Sequence, residues 1–244
     1  MKTLVSCLLV LALLAMAPGA QAKGVLDFEI LTTGLQGSSI SYAGGSNPLV
    51  GMNLSVLGVI GGNGSPLNDG ALLPITGGKL NFQTGNFVSS NGNTWDFGGG
   101  GAVTITGTVL PQPAQGSYAA FGGTSGTLLS ATFTSASVTN VKIDFFQTLG
   151  LFVDPPNPAL ASYFGLPANN YSGFFGINFT GVNGPVVQGG AFQTAEDFVG
   201  SGDTSTSPVP APGFLVLLCS GGTVSLAGYA LRRWKTTKGT ASVA

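Results

Sequence analysis

Val25-Leu26-Asp27-Phe28-Glu29-Ile30 sets Leu26, Phe28 and Ile30 in strict alternation with the carboxylates Asp27 and Glu29. A period of two sends successive side chains to opposite faces, so the stretch reads as a half-buried β-strand. Outward from it, further runs recur between Gly, Asn and Pro punctuation at 38–42, 50–60, 79–83, 94–97, 102–109, 126–134, 138–148, 173–180 and 186–194. No helical period separates them, so parallel βαβ units are not expected, and about ten strands fold antiparallel. The expected class is all-β, an antiparallel β-sandwich of jelly-roll type. One stretch departs from this pattern. Asn157 followed by Pro158, with Gly165 just past the apolar turn, predicts a short capped helix lying in a loop.

Composition narrows the function classes. The chain has 244 residues, 43% hydrophobic and 7% charged, with 40 glycines. That length suits one domain with accessory segments. Histidine is absent, which removes the Ser-His-Asp triad, the Cys-His pair and most zinc sites. Eight basic residues against nine acidic ones cannot build a basic stripe, so nucleic acid is not an expected partner. The segment between the termini holds all nine acids but only Lys23, Lys79 and Lys142, a net charge of -6, and no cysteine. Such a surface does not hold anionic polymers by charge, and its stability comes without disulfides.

The two ends read as topogenic segments. Lys2, an apolar run from Leu4 to Ala17, a Pro18-Gly19 break and Ala20-Gln21-Ala22 make a secretory signal over 1–22. Small residues at Ala20 and Ala22 fit a signal peptidase, with cleavage expected before Lys23. A lipoprotein box at Leu4 to Cys7 fails because too few apolar residues precede Cys7. At the other end, residues 213–231 are uncharged and mostly apolar, and Arg232, Arg233, Lys235 and Lys238 follow. Nineteen helical residues reach about 28 Å, enough for a transmembrane helix. Its basic flank predicts that 232–244 stay cytoplasmic while the body lies outside. The expected organisation is therefore a signal peptide (1–22), a β-sandwich domain (23–200), a Ser/Thr/Pro linker with sorting motif (201–212), the transmembrane helix (213–231) and the basic tail (232–244).

Val209-Pro210-Ala211-Pro212, the apolar span and Arg232-Arg233 together resemble the PEP-CTERM sorting signal of Gram-negative bacteria. In that family a Val-Pro-Glu-Pro motif precedes a Leu- and Gly-rich helix and an Arg cluster. Here Ala211 stands at the Glu position, and eleven residues follow Arg233. The resemblance implies recognition by a membrane-embedded exosortase, removal of the tail, and release or attachment at the cell surface beside exopolysaccharide and biofilm production. The body is similar to an uncharacterised PEP-CTERM group through Leu80 to Gly85, Trp95 to Gly101, Ile105-Thr106-Gly107 and Ala159 to Leu166. That likeness supplies no active site.

Three constellations in the body have both a chemical and a structural reading. Asp27 and Glu29 stand two apart on one strand face, about 7 Å between their Cβ atoms, a spacing within the range of paired glycosidase carboxylates. A solvated strand face explains them more simply. Glu196, Asp197 and Asp203 supply hard oxygen ligands suited to calcium, yet their spacing matches no calcium loop, and a polar linker accounts for them. Trp95, Tyr118, Tyr163, Phe164, Tyr171, Phe174 and Phe175 would stack on sugars if exposed together, whereas a sandwich needs such rings as filling. The expected function is that of a non-catalytic, exported cell-surface or matrix protein, with no catalytic residue, metal or cofactor. Its expected partners are the secretion translocon, signal peptidase, exosortase, the membrane and extracellular polysaccharide. The alternative is a secreted polysaccharide-binding module or glycoside hydrolase using Asp27, Glu29, Asp144, Asp154 or Glu196.

Overall fold

Leu26, Phe28 and Ile30 are buried, and Asp27 and Glu29 take the other face, as their alternation requires. They lie on β1 (Val25–Thr33) of a computed structural model that describes residues 25–33, 37–62, 64–142, 145–154, 157–167, 171–180, 189–194 and 199–208. The remaining strands are β2 (Ser39–Tyr42), β3 (Pro48–Gly62), β4 (Leu72–Asn91), β5 (Thr94–Phe97) and β6 (Ala102–Val109), then β7 (Thr124–Lys142), β8 (Phe145–Asp154), β9 (Tyr171–Thr180), β10 (Phe192–Gln193) and β11 (Val199–Pro208). One helix, α1 (Pro158–Tyr163), accompanies them among the described residues. All of these elements belong to the unit Ala22–Val209. The cleavage residues Ala20, Ala22 and Lys23, the motif Val209 to Pro212, the span 213–231 and Arg232-Arg233 lie outside the described residues. No described helix is long and apolar enough to cross a membrane.

Every strand pairing is antiparallel, and together the pairings close a ring. β1 and β2 lie end to end along β3, and β5 and β6 lie end to end between β4 and β7. β10 and β11 run along β2 and β1 in the same manner. Counted this way, eight staves follow one another in chain order. The last returns to the first through a register running from Leu26 opposite Thr206 to Thr33 opposite Val199. This is an up-and-down barrel, which leaves few free edges around the ring; among the described residues β10 pairs with β2 alone. The all-β, antiparallel expectation holds. The crossing connections of a jelly roll are not among these pairings, because each stave pairs with its predecessor and its successor. Side-chain periodicity reports which face is buried but not which strand lies alongside, and so it could not choose between the two.

Three segments differ from their sequence reading. The run 138–148 contains a hairpin, with β7 ending at Lys142 opposite the first residue of β8, Phe145. Of the run 186–194, β10 covers Phe192 and Gln193, while 186–188 lie outside the described residues. Residues 201–208, read as linker, form most of β11, the stave that closes the barrel. Its inward side chains are Thr204 and Thr206, 0% and 1% exposed, so it is buried without an apolar period.

The interior is filled by rings that reach across the barrel. Phe82 on β4 meets Phe175 on β9 at 4.8 Å between centroids, and those staves are diametrically opposed. Trp95 on β5 likewise meets Phe192 on β10 at 5.7 Å. Phe192 also packs on Tyr42 and Phe146, so it stops the end of the barrel away from Val25. Inward glycines make room for these rings. A Cβ at Gly51 would fall within the ring of Phe82, and one at Gly173 within the ring of Phe152. Alternation of large and small inward residues is how an eight-stranded barrel fits side chains into its taper.

The other end is closed by loops and α1, where Leu160, Ala161, Phe164 and Leu166 are buried. Asn157 caps the helix, its Oδ1 accepting from the N–H groups of Ala159 (3.1 Å) and Leu160 (3.3 Å). Gly165 then leaves it at φ +68°, as the sequence predicts.

Candidate functional site

The carboxylates of β1 gain a partner that lies far away in sequence. Glu29 stands directly opposite Asp203 of β11, and Asp27 stands opposite Ser205. Opposed residues of an antiparallel pair hold their Cβ atoms about 5 Å apart, and positions two along a strand lie about 7 Å apart. Asp27, Glu29 and Asp203 therefore share one patch on the outer wall, along the seam that closes the barrel. β3, β9 and β11 carry no cationic residue. Lys79 lies two staves away on β4, between Ser55 and Thr106.

The electrostatic consequence falls on Asp27. Burial, then the charge of Asp203, then that of Glu29 push its carboxyl up to about 6. Its Oδ1 is shielded and has no hydrogen-bond partner. The arrangement is one of like charges crowded on a convex surface. A glycosidase needs two carboxylates facing each other across a sugar, whereas these three point away from the same wall. They also make no metal-holding group of His, Cys, Asp or Glu among the described residues.

The other expected constellations are redistributed. Asp203, grouped by sequence with Glu196 and Asp197, joins Asp27 and Glu29; Glu196, Asp197 and Asp144 lie outside the described residues. Asp154 ends β8 opposite Tyr171. Sequence reasoning had no local signal for the meeting of Glu29 with Asp203, because only the β1–β11 register creates it. Of the aromatics, Trp95, Phe164, Tyr171 and Phe175 are buried, Tyr118 and Tyr163 are half-buried, and Phe174 is 40% exposed. The rings serve as core, with Phe174 the exception.

The loop end shows the same economy. Asn68, at φ +51°, accepts at Oδ1 from the Ala119 N–H (2.7 Å) and donates from Nδ2 to the Tyr163 carbonyl (2.6 Å). The Leu67 N–H donates to the Phe164 carbonyl at 3.1 Å, and Tyr163 meets Phe121 edge-on at 5.1 Å. Three connections are thus tied into a cap, and the two tyrosine and phenylalanine rings are consumed in packing. Set beside known proteins, the chain matches no family model, no curated protein and no solved structure.

Proposed function

We propose that this chain is a non-catalytic exported protein of the cell surface or extracellular matrix, carried through the inner membrane by a signal peptide, held there by residues 213–231 and then processed by an exosortase. One observation carries the reading. An apolar leader ending in Ala20-Gln21-Ala22 and a Pro-rich motif with an apolar span and Arg232-Arg233 bracket a sparsely charged passenger. Features of the passenger support it. Its ring of strands leaves few hydrogen-bonding edges to aggregate outside the cell. Its interior is occupied by Phe82, Phe175, Trp95 and Phe192 where a ligand would enter. We read the barrel as pressed flat, so that opposed walls pack as the layers of a sandwich do. The carboxylates on the convex wall favour a structural or adhesive role over hydrolysis of polysaccharide.

Fractionation of the native host with mass spectrometry of the mature protein tests this. The expected product begins at Lys23, lacks 213–244 and is found at the surface or in the medium. Deleting the host's exosortase should trap the uncut form in the inner membrane. A mature protein that keeps 213–244 in wild-type cells overturns the sorting reading, and recovery from the cytosol with both ends intact overturns export as well.

A further inference from the structure

We propose that the outer wall formed by β8 and β9 lies against the lipid bilayer, with Leu149, Leu151, Val153 and Phe174 in its interfacial layer. This rests on the reading of residues 213–231 as a membrane span and adds a second contact, made by the barrel itself.

Leu149, Leu151 and Val153 point outward at alternate positions of β8, 38%, 53% and 47% exposed. Phe174, 40% exposed, stands directly opposite Leu151 on β9. No outward position from Gln147 to Val153 on β8 or from Ser172 to Asn178 on β9 is charged. The β8 part of the strip can therefore enter an interfacial layer without desolvating a charge, while Phe174 on β9 has the Asp203 carboxylate for a neighbour at Gly176. Leu72, exposed on the β3–β4 wall, by contrast lies beside Glu29 at Gly58. Asp203, opposite Gly176, marks the rim where the strip returns to water.

The occupant follows from where the chain leaves the barrel. Pro208, Tyr171 and Asp154 form one row across β11, β9 and β8. Neighbouring staves are about 4.8 Å apart, so the exit lies about 10 Å from the end of β8, and Val153 is the next residue inward. Four residues, Val209 to Pro212, separate that exit from the apolar run beginning at Gly213. Fully extended they reach about 14 Å. The strip is thus tethered within reach of the surface it would meet, and a tether of this length raises the effective concentration enough for a small apolar patch to bind. The patch measures on the order of 300 Å², far below the ~800 Å² per partner of a specific protein interface, which argues against a second copy as the occupant.

The test reconstitutes the full chain, with Cys7→Ser and Cys219→Ser as background, in phosphatidylcholine vesicles with and without nitroxide-bearing lipid. An environment-sensitive fluorophore is attached through Leu151→Cys, or through Gln83→Cys on β4, across the barrel. Quenching several-fold stronger at position 151 than at 83 is expected, and adding Leu151→Asp to a Val153→Cys probe should reduce quenching to the level at 83. Equal quenching at both positions in protein that floats with the vesicles overturns the proposal and leaves the anchor intact. Cross-linking of Leu151→Cys chains to one another without quenching overturns it in favour of a second copy. Failure to float at all defeats the anchor reading, and this proposal with it.

Discussion

Replacing Asp27 by Asn should stabilise the barrel at neutral pH and flatten part of its pH dependence. Asp27 is crowded by Asp203 and Glu29 and partly buried, with a carboxyl pushed up to about 6 from 3.8. A raised carboxyl means that the folded state binds the proton more tightly than the unfolded chain does. The associated stability is complete below 3.8 and is lost as pH rises through about 6. Two units correspond to about 3 kcal/mol at full strength. Asp27 is partly exposed, and solvent screening reduces the expected effect to about 1–1.5 kcal/mol. Urea denaturation followed by far-ultraviolet circular dichroism, at intervals from pH 4 to 8, measures it. Relative to Asp27→Asn, the wild type should gain about 1 kcal/mol as pH falls from 7 to 4, and the variant should be the more stable at pH 7. Parallel pH profiles, or a variant less stable than wild type at pH 7, would refute the account of the seam.

Other outcomes follow from the packing. Gly173→Ala drives a methyl into the Phe152 ring and should cost about 1–3 kcal/mol, read as a lower urea midpoint; a neutral result would mean that the ring does not lie over Gly173. Phe82→Ala removes the ring that spans to Phe175 and should cost about 3–5 kcal/mol, with a weakened near-ultraviolet dichroism signal; a loss under 1 kcal/mol would deny the contact. Thr204→Val replaces a buried hydroxyl without a hydrogen-bond partner and should raise the melting temperature by a few degrees, about 1 kcal/mol; a lower melting temperature would show that the hydroxyl is bonded. Asn157→Ala uncaps α1 and removes the Nδ2 bond to the Thr127 carbonyl (2.9 Å), which should cost about 1–2 kcal/mol, while Asn157→Asp keeps the cap, loses that bond and should recover only part, read as an intermediate urea midpoint.

Much of the β structure was legible because burial imposes its period locally. Leu26, Phe28 and Ile30 announce β1 without reference to any other residue, and Asn157, Pro158 and Gly165 announce α1 by their own backbone and side-chain chemistry. Local punctuation misled where the structure uses it differently. The sequence marks only 79–83 of β4 as strand, since Pro74, Gly77, Gly78 and Gly85 look like ends. In the barrel the pairings of β4 shift register between Thr76 and Lys79 around Gly77-Gly78, so glycine there marks a bulge and not a stop. β11 leaves no mark in the sequence for the opposite reason: Thr204 and Thr206 turn inward, and their hydroxyls give no hydrophobic signal.

By itself the sequence determined the all-β class, the capped helix, the absence of histidine chemistry and the two apolar termini, because each depends on residue type or on neighbours a few positions apart. Tertiary structure alone decided that the strands close into a barrel, that Asp203 crowds Glu29, and that Leu151 and Phe174 meet on one wall. Those facts depend on pairing and register between segments, in the case of Glu29 and Asp203 at opposite ends of the body. A period of two constrains the face a side chain takes and leaves its neighbour across the strand free.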